Sequence, residues 1–362
     1  MLRKFLAALA LGLAFATGAA SQERVVNVYN WSDYVDPKML EAFTKETGIK
    51  VVYDTYDNNE ILETKLLAGK SGYDVVAPSG PFLQRLIKAG AFQRLDRGRL
   101  PNAKNLWPEI QGRLAAFDPG NLFAVNYMWG TTGLGINVAK VRQRLGDQPF
   151  NTWDLILKPD TVAKLRDCGV QVIDSPEDVF PGVLKALGLD PDSKRNEDLT
   201  RAGDALFRVR GSVQKFHSSE YINGLANGDV CLALGYSGDV LQARKRAEEA
   251  GTGAEVAYLV PREGALMWFD SFAIPADAPH AAEAYAFIDF MLRPEVAAAN
   301  TNFVAYASGN LAAKPFIRPE ILNNPGVYPD EATFKRLFTN TAYDERSQRT
   351  VTRLWTRVKT GR

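Results

Sequence analysis

The chain has 362 residues, 46% of them hydrophobic and 23% charged, with a net charge of +1. Such a balance gives no global field for nucleic acid or an anionic membrane surface. The length exceeds what one core usually covers, so two domains are expected.

Residues 1–20 read as an export signal. Met1-Leu2-Arg3-Lys4 is a basic start, and Phe5 to Ala16 is an apolar run too short to span a bilayer. Gly18-Ala19-Ala20 offers small residues for cleavage, which places the mature start near Ser21. No Cys sits at that junction to carry a lipid anchor. The expected product is soluble and exported.

Short apolar runs then alternate with helical patterns, the mark of α/β structure. Val25 to Tyr29 reads as a buried strand and Asn30-Trp31-Ser32-Asp33-Tyr34 as the loop after it. Helices are expected over 37–47, 60–68 and 82–89, and strands over 49–53 and 73–77. The turn Pro78-Ser79-Gly80-Pro81 lies where a ligand can meet the end of a strand. Ala124 to Gly135 is Gly- and Thr-rich and reads as a strand leaving one domain for the other. Its G-x-x-G-x-G spacing is not that of a dinucleotide loop. A second α/β unit has strands over 170–173, 230–234 and 256–260, with helices over 176–187 and 221–227. The stretch 267–274 is a candidate second crossing. Helices are expected over 281–292, 331–338 and 345–358. The expected division is 22–131 plus 261–312 for one lobe and 132–260 plus 313–362 for the other. Two α/β domains joined by repeated crossings describe a hinged binding protein.

Cys168 and Cys231 are the two cysteines. In an oxidising compartment a disulfide is the simplest reading, worth roughly 4 kcal/mol for a loop of that length. Two buried thiols are the alternative.

Catalytic sets are thin. His217 and His280 are the two histidines, and neither has an acid and nucleophile in a triad-like pattern. Gly235-Tyr236-Ser237-Gly238 lacks the last glycine of a nucleophile elbow. No metal-ligand or phosphate-loop spacing is present. No catalytic residue, metal or cofactor is therefore expected. What recurs is an aromatic close to an acid at a strand end: Trp31, Asp33 and Tyr34; Tyr236 and Asp239; Trp268 and Asp270. Asp174 and Asp178 follow a further strand, and Tyr306 follows Phe303-Val304-Ala305. Ring faces attract alkylammonium groups, and carboxylates take their N–H donors. Together these residues suit an organic cation.

The chain resembles bacterial periplasmic polyamine-binding proteins, the solute receptors of putrescine/spermidine-type ABC importers. The likeness runs over nearly the whole mature chain. Tyr29 to Tyr34, Glu46 to Asp54, Met128 to Gly133, Trp153 to Pro159, Phe216 to Asn223 and Leu225 to Asp229 carry it. It implies the two-lobed type II periplasmic binding fold, with each lobe a mixed sheet flanked by helices. It also implies a Cys168–Cys231 bridge, a periplasmic monomer, and a membrane permease as partner. Trp31 and Tyr34 resemble the family's ring walls. Ser32, Asp33 and Ser79 resemble its polar contacts, Asp239 and Asp270 its amine-gripping acids, and Tyr306 a further ring.

Three positions depart from the commonest putrescine-type pattern. Asp178 stands where Glu is usual, Tyr236 replaces Trp, and Trp268 replaces Phe as in spermidine-type members. Ser175 points the other way, since spermidine-type members place Asp there. On balance the resemblance implies spermidine ahead of putrescine. Asp33, Asp178, Asp239 and Asp270 are expected to repel across an empty cleft and favour opening. The rival readings are a same-fold receptor for another amine, a sugar or a ferric complex, and a hydrolase using two carboxylates.

Overall fold

A computed structural model describes residues 24–362. The export signal lies outside the described residues. Among them, no helix is long and apolar enough to cross a membrane.

Ten strands join in one mixed sheet. They are β1 (Val25–Trp31), β2 (Lys50–Tyr56), β3 (Val75–Val76), β4 (Ala124–Asn137), β5 (Val170–Val172), β6 (Lys215–Phe216), β7 (Leu232–Tyr236), β8 (Val256–Leu259), β9 (Leu266–Ala273) and β10 (Ala307–Ser308). The order is β2-β1-β3-β9-β4-β7-β5-β6, with β8 and β10 also paired to β4. The pairs β1–β2, β1–β3, β5–β6 and β5–β7 are parallel. Parallel pairs need crossover helices, which cover both faces and explain the apolar composition of these strands.

β4 decides the architecture. All 14 of its residues are buried. Its first part pairs with β9 from Ala124↔Ala273 to Thr132↔Leu266. Its second part pairs with β7 and β8. Two apolar cores flank this division. One gathers Leu134, Trp153, Phe180, Tyr221, Leu234 and Trp355. The other gathers Val28, Tyr34, Phe43, Phe272, Phe287 and Tyr306, with Trp129, Val327 and Leu337 in an adjoining cluster.

The expected elements are present with shifted ends. The expected strand 230–234 begins two residues later, because Val230 and Cys231 donate their N–H groups to Gly224 and Gly169 before the ladder starts. The expected helix 331–338 stops at Phe334. Phe338 leaves it to exchange backbone bonds with Ala265 and Met267. The strand expected over 73–77 shrinks to Val75–Val76. Cys168 and Cys231 form a disulfide with a Cα–Cα separation of 5.4 Å, which closes the alternative of two thiols.

Candidate ligand-binding cleft

A cleft of about 590 Å³, open solvent at its mouth included, runs between the two cores. All eleven residues singled out from the sequence line it: Trp31, Ser32, Asp33, Tyr34, Ser79, Asp178, Tyr236, Asp239, Trp268, Asp270 and Tyr306. Most of them end or follow strands, as the pattern suggested; Trp268 and Asp270 do not, because both lie in the middle of β9 with ladder partners on β4. Trp31 ends β1, and its indole N–H is fixed on the Ala77 carbonyl at 3.0 Å. Asp178 and Asp239 each occupy the first turn of a helix, Pro176–Ala186 and Ser237–Ala250, where backbone N–H groups favour negative charge. Asp270 sits within β9, opposite Met128. A ladder irregularity lies there, and the Asn126 amide donates to the Asp270 and Met128 carbonyls.

Each inner acid is held by hydroxyls. Asp270 accepts from Tyr34 Oη at 2.8 Å and Ser79 Oγ at 2.6 Å. Asp239 accepts from Tyr306 Oη at 2.6 Å and Tyr221 Oη at 2.8 Å. Asp178 accepts from Tyr236 Oη and Ser175 Oγ, both at 2.7 Å and both on Oδ2, which leaves Oδ1 without a side-chain donor. Burial pushes Asp270 up to about 7 and Asp239 up to about 6, against the pull of these hydroxyls. It also raises Asp178. The repulsion expected among the empty acids is therefore blunted: near neutral pH part of that charge is titrated away.

The rings form a continuous wall. Tyr34 meets Tyr306 edge to face at 5.3 Å, Tyr306 meets Trp268 at 5.2 Å, and Trp268 meets Tyr236 at 5.7 Å. Glycines make room for it. A Cβ at Gly130 would lie 2.5 Å from the Trp268 ring, and one at Gly238 would lie 2.6 Å from Tyr306. Gly130 on β4 and Gly238 on the Ser237–Ala250 helix thus serve close ring packing, while Gly135 on β4 admits Val240 and Leu225.

Asp33 differs from the other acids. Its backbone is left-handed (φ 54°), and its side chain is 58% exposed at the mouth. Oδ2 lies 3.4 Å from Nη2 of Arg246 on the opposite wall. Tyr56, Asp57, Ser218, Ser219 and Ile222 also line the cleft. Sequence reasoning passed over these five as site residues. Ser218, Ser219 and Ile222 fall inside the stretch 216–223 that carries the resemblance, so a signal was present there.

Among the described residues, no cluster of His, Cys, Asp and Glu has metal-site geometry. The arrangement provides three acceptors and a ring wall, which suits a flexible chain bearing separated ammonium groups.

A family model described as bacterial extracellular solute-binding protein matches residues 38–328. The putrescine-binding periplasmic protein SpuD of Pseudomonas aeruginosa is 49% identical over 361 residues, covering 99% of this chain and 98% of its own. The putrescine-binding periplasmic protein PotF of Escherichia coli is 48% identical over 365 residues, covering 99% of each. The spermidine/putrescine-binding periplasmic protein of Escherichia coli is 35% identical over 334 residues, covering 92% and 91%. Among solved structures, the spermidine/putrescine ABC transporter substrate-binding protein PotD from Streptococcus pneumoniae superposes with a TM-score of 0.77. It is 30% identical, and the match covers 93% of this chain and 99% of that one. A chain similar over its whole length to periplasmic receptors, with its rings and acids gathered between two cores, belongs to the bacterial extracellular solute-binding protein family.

Proposed function

We propose that this protein is a periplasmic receptor that captures a linear polyamine between two lobes and hands it to an ABC permease. One observation carries the reading: three hydroxyl-held acids share one cleft with an unbroken ring wall. Burying an alkylammonium is costly unless each charge finds an acceptor. The acids meet that need, and the rings cover the alkyl stem. The two relatives named for putrescine alone, 49% and 48% identical, are more similar to the chain than the spermidine/putrescine-binding protein at 35%. Putrescine is therefore placed ahead of spermidine, reversing the order drawn from Trp268. No chemistry beyond capture and release is assigned, and the protein is read as a monomer without affinity for nucleic acid.

The lobes of this reading are 22–131 plus 261–312 and 132–260 plus the end of the chain. We assign the stretch 313–337 to the first lobe instead, a reading supported by the Tyr328 and Phe334 rings lying edge-on to Trp129. Closure gains free energy only to the extent that ligand binds the closed form better. A cation that neutralises acids on both walls meets that condition. Lysine and ornithine bring a carboxylate into the same acids and should be rejected.

Calorimetric titration with putrescine, cadaverine, spermidine, agmatine, lysine and a sugar panel is the test. Saturable binding by the amines alone is expected. Saturation by a sugar, with none by the amines, would exclude the polyamine reading.

A further inference from the structure

Tyr221 does not line the cleft, yet its hydroxyl reaches two parts of it. The residue lies on the Glu220–Asn227 helix and is fully buried. Oη donates to Asp239 Oδ2 at 2.8 Å and accepts the Tyr236 backbone N–H at 2.9 Å. The Tyr236 hydroxyl in turn holds Asp178 at 2.7 Å. One buried hydroxyl therefore ties Asp239 to the end of β7, from which the ring gripping Asp178 projects. Gly235 makes this possible, since a Cβ there would lie 2.6 Å from Tyr221 Cε2.

We propose that Tyr221 is a positioning residue for ligand recognition, fixing the Asp239 carboxylate and the Tyr236 backbone before the cleft closes. The inference rests on the polyamine reading. Its physical basis is which core each partner belongs to. Tyr221 packs in the same core as β7 and the helix carrying Asp239, so its bond persists whatever the cleft does. Tyr306, the other tyrosine on Asp239, belongs to the opposite core. Its bond forms only when the two walls meet. The open receptor thus relies on Tyr221 alone to orient Asp239, and preorganised acceptors lower the cost of binding.

The electrostatics agree. Burial raises Asp239 and the two tyrosine hydroxyls oppose it. Without the Tyr221 hydroxyl the carboxyl holds its proton to higher pH. The groups facing it are Asp33 and Arg246 at the mouth, Tyr306 from the opposite wall and Tyr221 beneath.

The test is the affinity for putrescine by calorimetry across pH 5.5–8.5, in the wild type, Tyr221→Phe and Asp239→Asn. Tyr221→Phe should bind about tenfold more weakly at pH 8, the usual loss for a hydrogen bond to a charged group. Its deficit should grow as pH falls, with the midpoint of the affinity profile displaced to higher pH. In the Asp239→Asn background the same change should cost less than in the wild type, leaving only the loss at the Tyr236 backbone, and its pH dependence should disappear. A merely structural tyrosine lowers the melting temperature and leaves the profile in place, and that result overturns the proposal. Replacement of Tyr221 by 3-fluorotyrosine keeps the ring and makes the hydroxyl a stronger donor. It should displace the profile to lower pH, and an unmoved profile there also overturns the proposal, even if Tyr221→Phe does not fold. A wild type blind to every polyamine overturns the polyamine reading itself. Wild-type binding matched by Tyr221→Phe at every pH overturns only the role of Tyr221.

Discussion

Tyr34 and Asp270 lie 236 positions apart and meet in a hydrogen bond of 2.8 Å at the base of the cleft. Tyr34 follows β1, and Asp270 sits in β9, which pairs with β3 and β4. Ser79 completes the arrangement from the first turn after β3: its hydroxyl turns away from helix capping and donates to the same carboxylate. Three distant stretches thus converge on one acid that is only 4% exposed.

Removing that charge should disable capture. Asp270→Asn and Asp239→Asn are each expected to weaken putrescine binding tenfold or more, on the order of 2–5 kcal/mol for an ammonium that loses its buried partner. Calorimetry on the folded variants checks this. Unchanged affinity in both would remove the acids from the binding site.

The pH dependence has a definite sign. Asp270 and Asp239 are raised by burial to about 7 and about 6. A carboxyl whose pKa is higher folded than unfolded holds its proton more tightly in the native state. The empty protein therefore loses stability as pH rises from the ordinary carboxylate range through about 7. The melting temperature of the empty protein should fall from pH 5 to pH 8 relative to the Asp239→Asn/Asp270→Asn double variant. The rise in melting temperature caused by putrescine should grow over the same window. Parallel profiles for both proteins contradict the assignment.

Gly130→Ala tests the ring wall. The added methyl would meet the Trp268 ring at 2.5 Å, closer than contact allows. The ring or β4 must shift, at about 1–3 kcal/mol of stability. Loss of affinity should accompany the lower melting temperature, because the displaced ring faces the ligand. Gly48→Ala is a control. It lies in a left-handed cap far from the cleft, and with nothing near its Cβ it should reduce stability without touching affinity.

Arg246→Ala addresses the mouth. Arg246 and Asp33 are both partly exposed, at 36% and 58% of their side chains, so their pairing contributes below about 1 kcal/mol to folding. Its effect should appear in kinetics. Ligand release by stopped flow is expected to quicken a few-fold, and less so at high salt, where screening already weakens the pair. An unchanged release rate at low salt excludes a gating contribution.

Much of the cleft was readable from the sequence because its acids and rings follow buried strands, and strand ends meet where a sheet changes direction. Trp31 and Asp239 announced themselves that way, whereas Asp270 lies in the middle of β9. Tyr221 did not. It reads as one more apolar position on a helix closed by Gly228, and only the end of β7 beside it reveals what its hydroxyl holds. Asp33 was grouped with the other acids by its neighbours in sequence, yet a left-handed backbone turns it to the mouth. The Ser237–Ala250 helix is hard to read because charged residues crowd its second half and its buried face is set largely by small side chains. Asn196–Val209 and Pro294–Val304 were missed as well. Pro294–Val304 has the same small-residue character, with three consecutive alanines.

The sharing of β4 between the two cores has a practical outcome. Its Ala124–Thr132 stretch needs β9, while Leu134–Ile136 needs β7 and β8, and all of these partners arrive later in the chain. Neither half can be excised as a contiguous fragment and produced by itself. A truncation near 131 strands one edge of the ladder, and one near 260 removes β9. Biosensor designs on this scaffold should therefore insert reporters at surface turns and leave the backbone order intact.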